Sequence, residues 1–204
     1  MRALIIAFAT LTAMCAHADW LGSDCQEFAE RSAVQPAAGI TRVVIIGRAG
    51  FLHVEGRAGI NEIRATGRAC APIEQFLVGI LLKSSRSGST VTIEAVCPRK
   101  DSSRFASETK LDFTVTLPAG IDVDVVDTSG DLKISNVGNT RVADTSGDIA
   151  INDVHGNVVI VEDESGTVAV SDVRGDFTIR SKSSGSVKYE RVSGHVSIPD
   201  RYRR

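Results

Sequence analysis

Residues 127–138 read DTSGDLKISNVG, and related units follow this one to the end of the chain. The Ser-Gly pair of the unit recurs at spacings of 17, 19 and 19 residues, and a second glycine follows each pair. Glycine readily adopts the positive φ of a sharp turn, so every unit predicts two corners. The pairs begin at Ser129, Ser146, Ser165 and Ser184, and the second glycines are Gly138, Gly156, Gly175 and Gly194.

Between the corners, apolar residues alternate with polar or small ones, as in a strand with one buried face. In the first unit Leu132 and Ile134 flank Lys133. A unit of this length is too short for a βαβ crossover, which needs about 30 residues. The pattern predicts an all-β fold, a short parallel β-solenoid of four 17–19-residue coils stacked about 4.8 Å apart. A left-handed β-helix of hexapeptides is the alternative, but its six-residue period does not match these i, i+2 pairs.

The region before the repeats is less regular but related to them. Residues 49–54, AGFLHV, have the form of SGDLKI in the first repeat. Further strands are predicted at 42–46, 77–83, 90–96 and 111–117, with a turn at 85–88. We therefore predict a signal peptide at 1–18, an irregular N-terminal β region at 19–120 that caps or begins the solenoid, and solenoid repeats at 121–204.

The N-terminus has the features of a secretory signal. Arg2 provides a positive charge, residues 3–14 form an uncharged apolar run, and residues 16–18, AHA, form a cleavage motif. Cleavage after Ala18 places the mature protein in the periplasm, outside the cell or on its surface. The alternative is lipidation at Cys15, which Met14 disfavours because that motif has a small residue before the cysteine. No segment of the sequence reaches the roughly 20 apolar residues of a membrane span.

Three cysteines remain after the predicted cleavage, in a compartment where thiols oxidise. They are Cys25, Cys70 and Cys97, and none belongs to a CxxC motif. Their wide spacing favours one structural disulfide over a metal or redox site, and no cofactor or metal is expected. Cys97, which precedes Pro98, is the thiol expected to stay unpaired.

Three aspartates occupy one place in successive repeats. Asp127, Asp144 and Asp163 each lie three residues before a corner glycine, and Lys182 takes that place in the last repeat. We expect a solvated surface column, because carboxylates one coil apart repel by only about 1 kcal/mol in water. Calcium is the alternative, but calcium-binding β-rolls use a GGxGxD loop that this sequence lacks.

Other polar residues also have simple structural interpretations. Asp131, Asp148 and Asp176 each follow a glycine, and we expect their side chains to hydrogen-bond their own turns. The histidines that remain after cleavage are expected to be ordinary surface residues: His53, His155 and His195. Catalytic motifs such as HExxH, GxSxG and the P-loop are absent from the sequence.

The chain resembles the bacterial putative-adhesin family of exported β-strand-repeat proteins, whose biochemical function is unknown. The resemblance covers nearly all of the predicted mature chain and includes the repeated Ser-Gly-Asp units. Its other marks are Cys25 with Glu30-Arg31, GFLHVEG at 50–56, GRACA at 67–71 and Leu117-Pro118. The resemblance implies a disulfide between Cys25 and Cys70, and Cys97 departs from the family pattern.

The sequence favours a non-catalytic exported β-solenoid that acts as a cell-envelope or secreted scaffold, or as an adhesin-like binding protein. Partners that suit its polar outer columns are glycans and envelope or surface proteins. Nucleic acid is not expected, because the net charge is −2 and the cationic residues 201–204 are too few for a basic groove.

Two alternatives remain open from the sequence. One is a carbohydrate-active β-helix enzyme that uses the column of aspartates, and the other is a calcium-stabilised β-roll. Against the enzyme, the corners are uniformly short and the repeat units between Val126 and Pro199 have two aromatic residues, Phe177 and Tyr189, both at inward positions.

Overall fold

The computed structural model describes residues 25–97 and 109–202, so the predicted signal peptide and its cleavage site lie outside the described residues. Before the repeats, the chain forms β1 Glu27–Pro36, β2 Arg42–Ile46, β3 Leu52–Arg57, β4 Glu62–Ala71, α1 Glu74–Leu77, β5 Leu81–Ser87, β6 Thr90–Val96 and β7 Lys110–Pro118. The repeats form β8 Asp122–Val126, β9 Leu132–Val137, β10 Thr140–Ser146, β11 Ile149–Val154, β12 Val158–Ser165, β13 Thr167–Val173, β14 Phe177–Ile179, β15 Ser186–Val192 and β16 Val196–Ser197. A 3-10 helix, Asp200–Tyr202, follows. No helix among the described residues is long and apolar enough to cross a membrane.

The strands form two sheets of eight strands each. The first sheet has the order β1-β4-β7-β3-β9-β11-β13-β15, and the second has the order β16-β14-β12-β10-β8-β2-β6-β5. From β8 onward the chain alternates between the sheets, and each strand pairs in parallel with its equivalent one repeat later. The predicted all-β solenoid is therefore confirmed.

Spatial order differs from chain order at the start of the stack. The coil of β2 and β3 lies between the coil of β6 and β7 and the coil of β8 and β9. The segment 49–54, recognised as an echo of the repeat, pairs in register with the first repeat, since Leu52 lies beside Leu132. Strands that precede residue 120 and strands that follow it therefore occur in both sheets. The domain boundary placed at residue 120 stays a prediction.

The N-terminal strands β1, β4 and β5 close one end of the stack. They pair antiparallel to their neighbours, unlike the solenoid strands. A disulfide joins Cys25 to Cys70, with their Cα atoms 5.6 Å apart, and so attaches the start of β1 to the end of β4. This is the pair that the family resemblance implies, and Cys97 is a partly buried free thiol. The strand predicted at 77–83 is partly wrong, because α1 extends to Leu77 and β5 begins at Leu81.

The core is a set of apolar columns between the two sheets. Leu132, Ile149 and Val168 stack in register and are fully buried. In the last coil the equivalent Val187 is only half-buried, and Tyr189 is 42% exposed. Burial falls there because the last coil has a neighbour on one side only.

A left-handed residue explains why a valine follows each alternating pair after three residues instead of two. Asn136, Asp153, Asp172 and Arg191 have φ between 51° and 56°, and each directly precedes that valine. Asn and Asp tolerate this conformation better than most residues. Val137, Val154 and Val173 are buried as a result.

The corner aspartates stabilise the neighbouring coil. The Oδ1 atom of Asp131 accepts a hydrogen bond from the backbone N–H of Asp148 at 3.1 Å, and that of Asp148 accepts one from Thr167 at 2.7 Å. Asp176 Oδ1 likewise accepts from His195 N–H at 2.8 Å. The prediction that these side chains bond their own turns is wrong, because coil stacking brings the next backbone within reach.

The Ser-Gly corners are the closest contacts between coils. Gly147 has φ +136°, and a Cβ atom there would lie 1.9 Å from the carbonyl oxygen of Gly130. The same approach recurs at Gly130, Gly166 and Gly185. A side chain at this place would push the coils apart.

We predict that Gly147→Ala lowers the free energy of unfolding by about 3 kcal/mol or more, because it combines backbone strain with a clash against backbone atoms. Urea unfolding followed by circular dichroism measures the loss. Gly59→Ala is the matched control, since Gly59 has φ +77° but no neighbouring atom within 4 Å of a built Cβ. Its loss should be about 1–2 kcal/mol from strain alone. Equal losses in the two variants would contradict a steric limit at the corner.

Candidate functional site: the aspartate column

The column of aspartates lies inside the solenoid. Asp127, Asp144 and Asp163 are 4%, 3% and 1% exposed, and Lys182 is 2% exposed. Asp144 and Asp163 are register partners in the second sheet. The expectation of a solvated surface column is therefore corrected, although the stacking itself is present.

The direction of these side chains follows from strand alternation. Val123 and Val125 of β8 point inward, and Asp127 takes the next inward place before the chain turns. Asp144 likewise takes the inward place two residues after the inward-pointing Val142 in β10. The inward alternation thus continues beyond the last apolar residue, and it buries carboxyl groups that were expected to be solvated.

Asp127 and Asp144 share their main local contact. The Oδ1 atom of each accepts a hydrogen bond of 2.8 Å from the backbone N–H of the following threonine. Within the described residues, the Oδ2 atom of each is buried and has no hydrogen-bond partner. Each carboxyl group is thus satisfied on one side only.

Asp163 differs because it has a counter-ion. Its Oδ2 atom forms a buried ion pair with Nζ of Lys182. The same ammonium group donates to the carbonyl oxygen of Gly166 at 2.8 Å. The positive charge at the end of the column is therefore committed to the nearest carboxylate.

The buried environment changes the acidity of all three groups. The pKa of Asp127 is raised to about 7, first by burial and also by the charge of Asp144, although the hydrogen bond from the Thr128 backbone opposes the shift. Burial likewise raises the pKa of Asp144 to about 6. The pKa of Asp163 is also raised by burial, although Lys182 opposes the shift. Raised values at a buried site often mark function, but structural clusters produce them too.

The chemical possibilities of the column are narrow. A polymeric substrate has no access to carboxyl groups that are at most 4% exposed. Within residues 25–97 and 109–202, no group of three or more His, Cys, Asp or Glu side chains is placed to hold a metal ion. Buried carboxyl groups of this kind can act inside the fold, in proton binding or in stability.

The histidines lie in different coils and do not join the column. His53 is partly buried, and its pKa is lowered first by burial and then by Lys133. His155 lies 3.6 Å from Asp153 across an Nε2–Oδ1 pair, and His195 is exposed. Of the three, His53 departs from the expected surface position, because its Nε2 atom is buried.

The outer face of the second sheet has a polar depression that motif reasoning missed. Its volume is about 430 Å³, and its lining is Arg42, Asp122, Asp124, Asn139, Thr140, Arg141, Asn157 and Val159. Arg42 and Asp124 form a pair at 3.6 Å across neighbouring strands. These residues come from β2, β8, β10, β12 and the corners directly before β10 and β12, so the stacking of coils brings them together.

Comparisons with known proteins agree with the β-repeat architecture. The sequence model of the family described as Toastrack DUF4097 matches residues 62–200, which confirms the resemblance found in the sequence. No curated protein matches the chain by sequence.

Solved structures that match the chain include a putative cell adhesion protein from Clostridium sporogenes, at 11% identity, TM-score 0.45, covering 84% of this chain and 99% of that one. A putative adhesin from Bacteroides fragilis has 12% identity and TM-score 0.34, covering 86% and 99%. One from Parabacteroides merdae has 10% identity and TM-score 0.27, covering 85% and 97%.

We predict that Lys182→Met lowers the free energy of unfolding by about 3 kcal/mol at pH 7.5, since removing one member of a buried ion pair leaves the other uncompensated. The loss should be smaller at pH 5, where Asp163 can take up a proton. Urea unfolding at the two pH values measures both effects.

Lys188→Met is the control for this prediction, because Lys188 is exposed on β15 and its replacement should change stability by less than about 0.5 kcal/mol. The double variant Lys182→Met/Asp163→Asn should recover most of the loss. Similar losses in the two lysine variants would refute the buried pair.

Proposed function

We propose, on the premise that the chain belongs to the Toastrack DUF4097 family, that it works as an exported, non-catalytic scaffold or adhesin-like binding protein. In this proposal the stacked coils provide a rigid body, and the outer faces of the sheets bind a partner. Solenoids present extended surfaces of this kind, whose area grows with the number of coils.

The observation that carries the proposal is the inward direction of the aspartate column. A glycoside-cleaving enzyme needs two carboxyl groups that flank the bond in an open groove. Asp127, Asp144 and Asp163 are the stacked carboxylates of the repeats, and they are buried among the coils. This arrangement favours binding over hydrolysis.

The depression on the second sheet is the surface that we propose for binding. Arg42 and Arg141 offer hydrogen-bond donors, while Asp122 and Asp124 offer acceptors. Sugar hydroxyl groups both donate and accept, so a glycan suits this mixed lining, and a polar segment of an envelope or surface protein is the other candidate. The predicted signal peptide and the Cys25–Cys70 disulfide support a location in the periplasm, outside the cell or on its surface.

The test is binding of the mature protein, residues 19–204, to a glycan array, together with crosslinking in intact cells and identification of the captured neighbour. We expect a retained ligand whose affinity falls about tenfold or more in Arg141→Ala/Asp124→Ala, because each lost polar contact costs about 1–2 kcal/mol. Lys133→Ala, on the outer face of the first sheet, should bind normally.

Incubation with acidic polysaccharides tests the enzymatic alternative. We expect no new reducing ends. Turnover by the wild-type protein that is lost in Asp144→Asn would overturn the proposal.

A further inference from the structure

The aspartate column has an unbalanced internal charge. Three buried carboxyl groups face one buried ammonium group, and that group is paired with Asp163. Asp127 and Asp144 are therefore left without a cation of their own in the described part of the column. Burying an uncompensated carboxylate is costly, and such groups take up a proton instead.

The geometry also calls for a hydrogen-bond donor. The Oδ2 atoms of Asp127 and Asp144 are buried without a partner in the described residues. Backbone hydrogen bonding places the two residues one coil apart, since Asp127 N–H donates to the carbonyl oxygen of Ala143 at 2.9 Å. A protonated carboxyl group supplies the donor that a carboxylate lacks.

Among the other described neighbours of the pair, the one positive charge that acts on it is that of Lys182, which is already paired with Asp163. On the β2 side lies Gly47, where a Cβ atom would be 2.4 Å from Asp127 Oδ1. The first sheet contributes the apolar and fully buried Leu132 and Ile149 to the core. On the far side, the charge of Asp163 raises the pKa of Asp144 and the charge of Lys182 lowers it, while burial has the largest effect and keeps the pKa above its ordinary value.

We propose that Asp127 and Asp144 form a proton-binding pair inside the solenoid, which holds a proton at neutral pH and makes the fold more stable in mild acid than in mild alkali. The ligand of this site is the proton itself, and the site is independent of the outer surface proposed for binding. A failed binding experiment would therefore not affect the proton-binding proposal, and a failed proton-binding experiment would not affect the proposed binding surface.

The sign follows from proton linkage. The pKa values of Asp127 and Asp144 rise from the ordinary 3.8 to about 7 and about 6 on folding. Between the ordinary pKa of 3.8 and these raised values, the folded state therefore binds more protons than the unfolded state. The free energy of unfolding consequently falls as the pH rises through this range, up to about 6 for Asp144 and about 7 for Asp127. His53 acts in the opposite direction, because its pKa is lowered. A comparison of variants at each pH removes that contribution.

The experiment is urea unfolding of the mature protein at pH 5, 6, 7 and 8 for the wild type, Asp127→Asn and Asp144→Asn. Asparagine keeps the oxygen that accepts from the threonine N–H and adds a neutral donor. We expect the unfolding equilibrium constant of the wild type, relative to that of Asp127→Asn, to increase about tenfold or more from pH 5 to pH 8. Asp144→Asn should show the same trend.

Asp131→Asn is the matched control, because it makes the same chemical change at an exposed position of the same repeat. It should follow the pH dependence of the wild type. A ratio between wild type and Asp127→Asn that stays constant with pH would overturn the proposal.

A second measurement applies even if the asparagine variants fail to fold. The ¹³C resonances of the aspartate carboxyl carbons, followed by NMR in the wild-type protein, should include one that titrates above pH 6. Titration of every aspartate below pH 5 would refute the proton-binding pair.

Discussion

Close stacking of the coils at their corners is the constraint on which the rest of this structure depends. Strands in a sheet lie about 4.8 Å apart, and a solenoid must keep that spacing where the chain turns as well as where it is extended. At Gly147 the spacing leaves no room for a Cβ atom against Gly130. Once the corners stack, the side chains of an inner coil lie beside the equivalent side chains of the coils on either side. The apolar columns, the Asp131 and Asp148 hydrogen bonds and the polar outer face all follow from this alignment.

The same alignment has an electrostatic consequence. A residue type that recurs at one inward place must stack on itself, and for leucine or valine this stacking adds burial. For Asp127, Asp144 and Asp163 it concentrates like groups in a medium of low polarity. Lys182 compensates one of them at the end of the column. The remaining charge is the reason that the interior of this solenoid responds to protons, while its exterior is free to carry binding residues.

The sequence was sufficient for the corners and the core because both repeat with a fixed period. It was not sufficient for the direction of Asp127, because the inward alternation continues past the end of β8 and an aspartate at that place gives no local sign of burial. Nor could it reveal that β3 lies between β7 and β9 and β2 between β6 and β8, since pairing between distant segments leaves no local pattern. The left-handed Asn136, Asp153 and Asp172 did leave a signal, which is the irregular spacing before each valine. The depression around Arg141 combines residues from four strands and has no sequence motif.

Amide hydrogen exchange along the mature chain tests whether each inner coil is held by neighbours on both sides and the last coil by a neighbour on one side only. Free energies of local opening report how strongly each segment is held. We expect the slowest exchange in β3, β9 and β11, which lie within the stack. Exchange should be faster in β15 and β16, which lie at its open end. Protection that changes sharply at residue 120, or that is as high in β15 as in β11, would contradict this expectation.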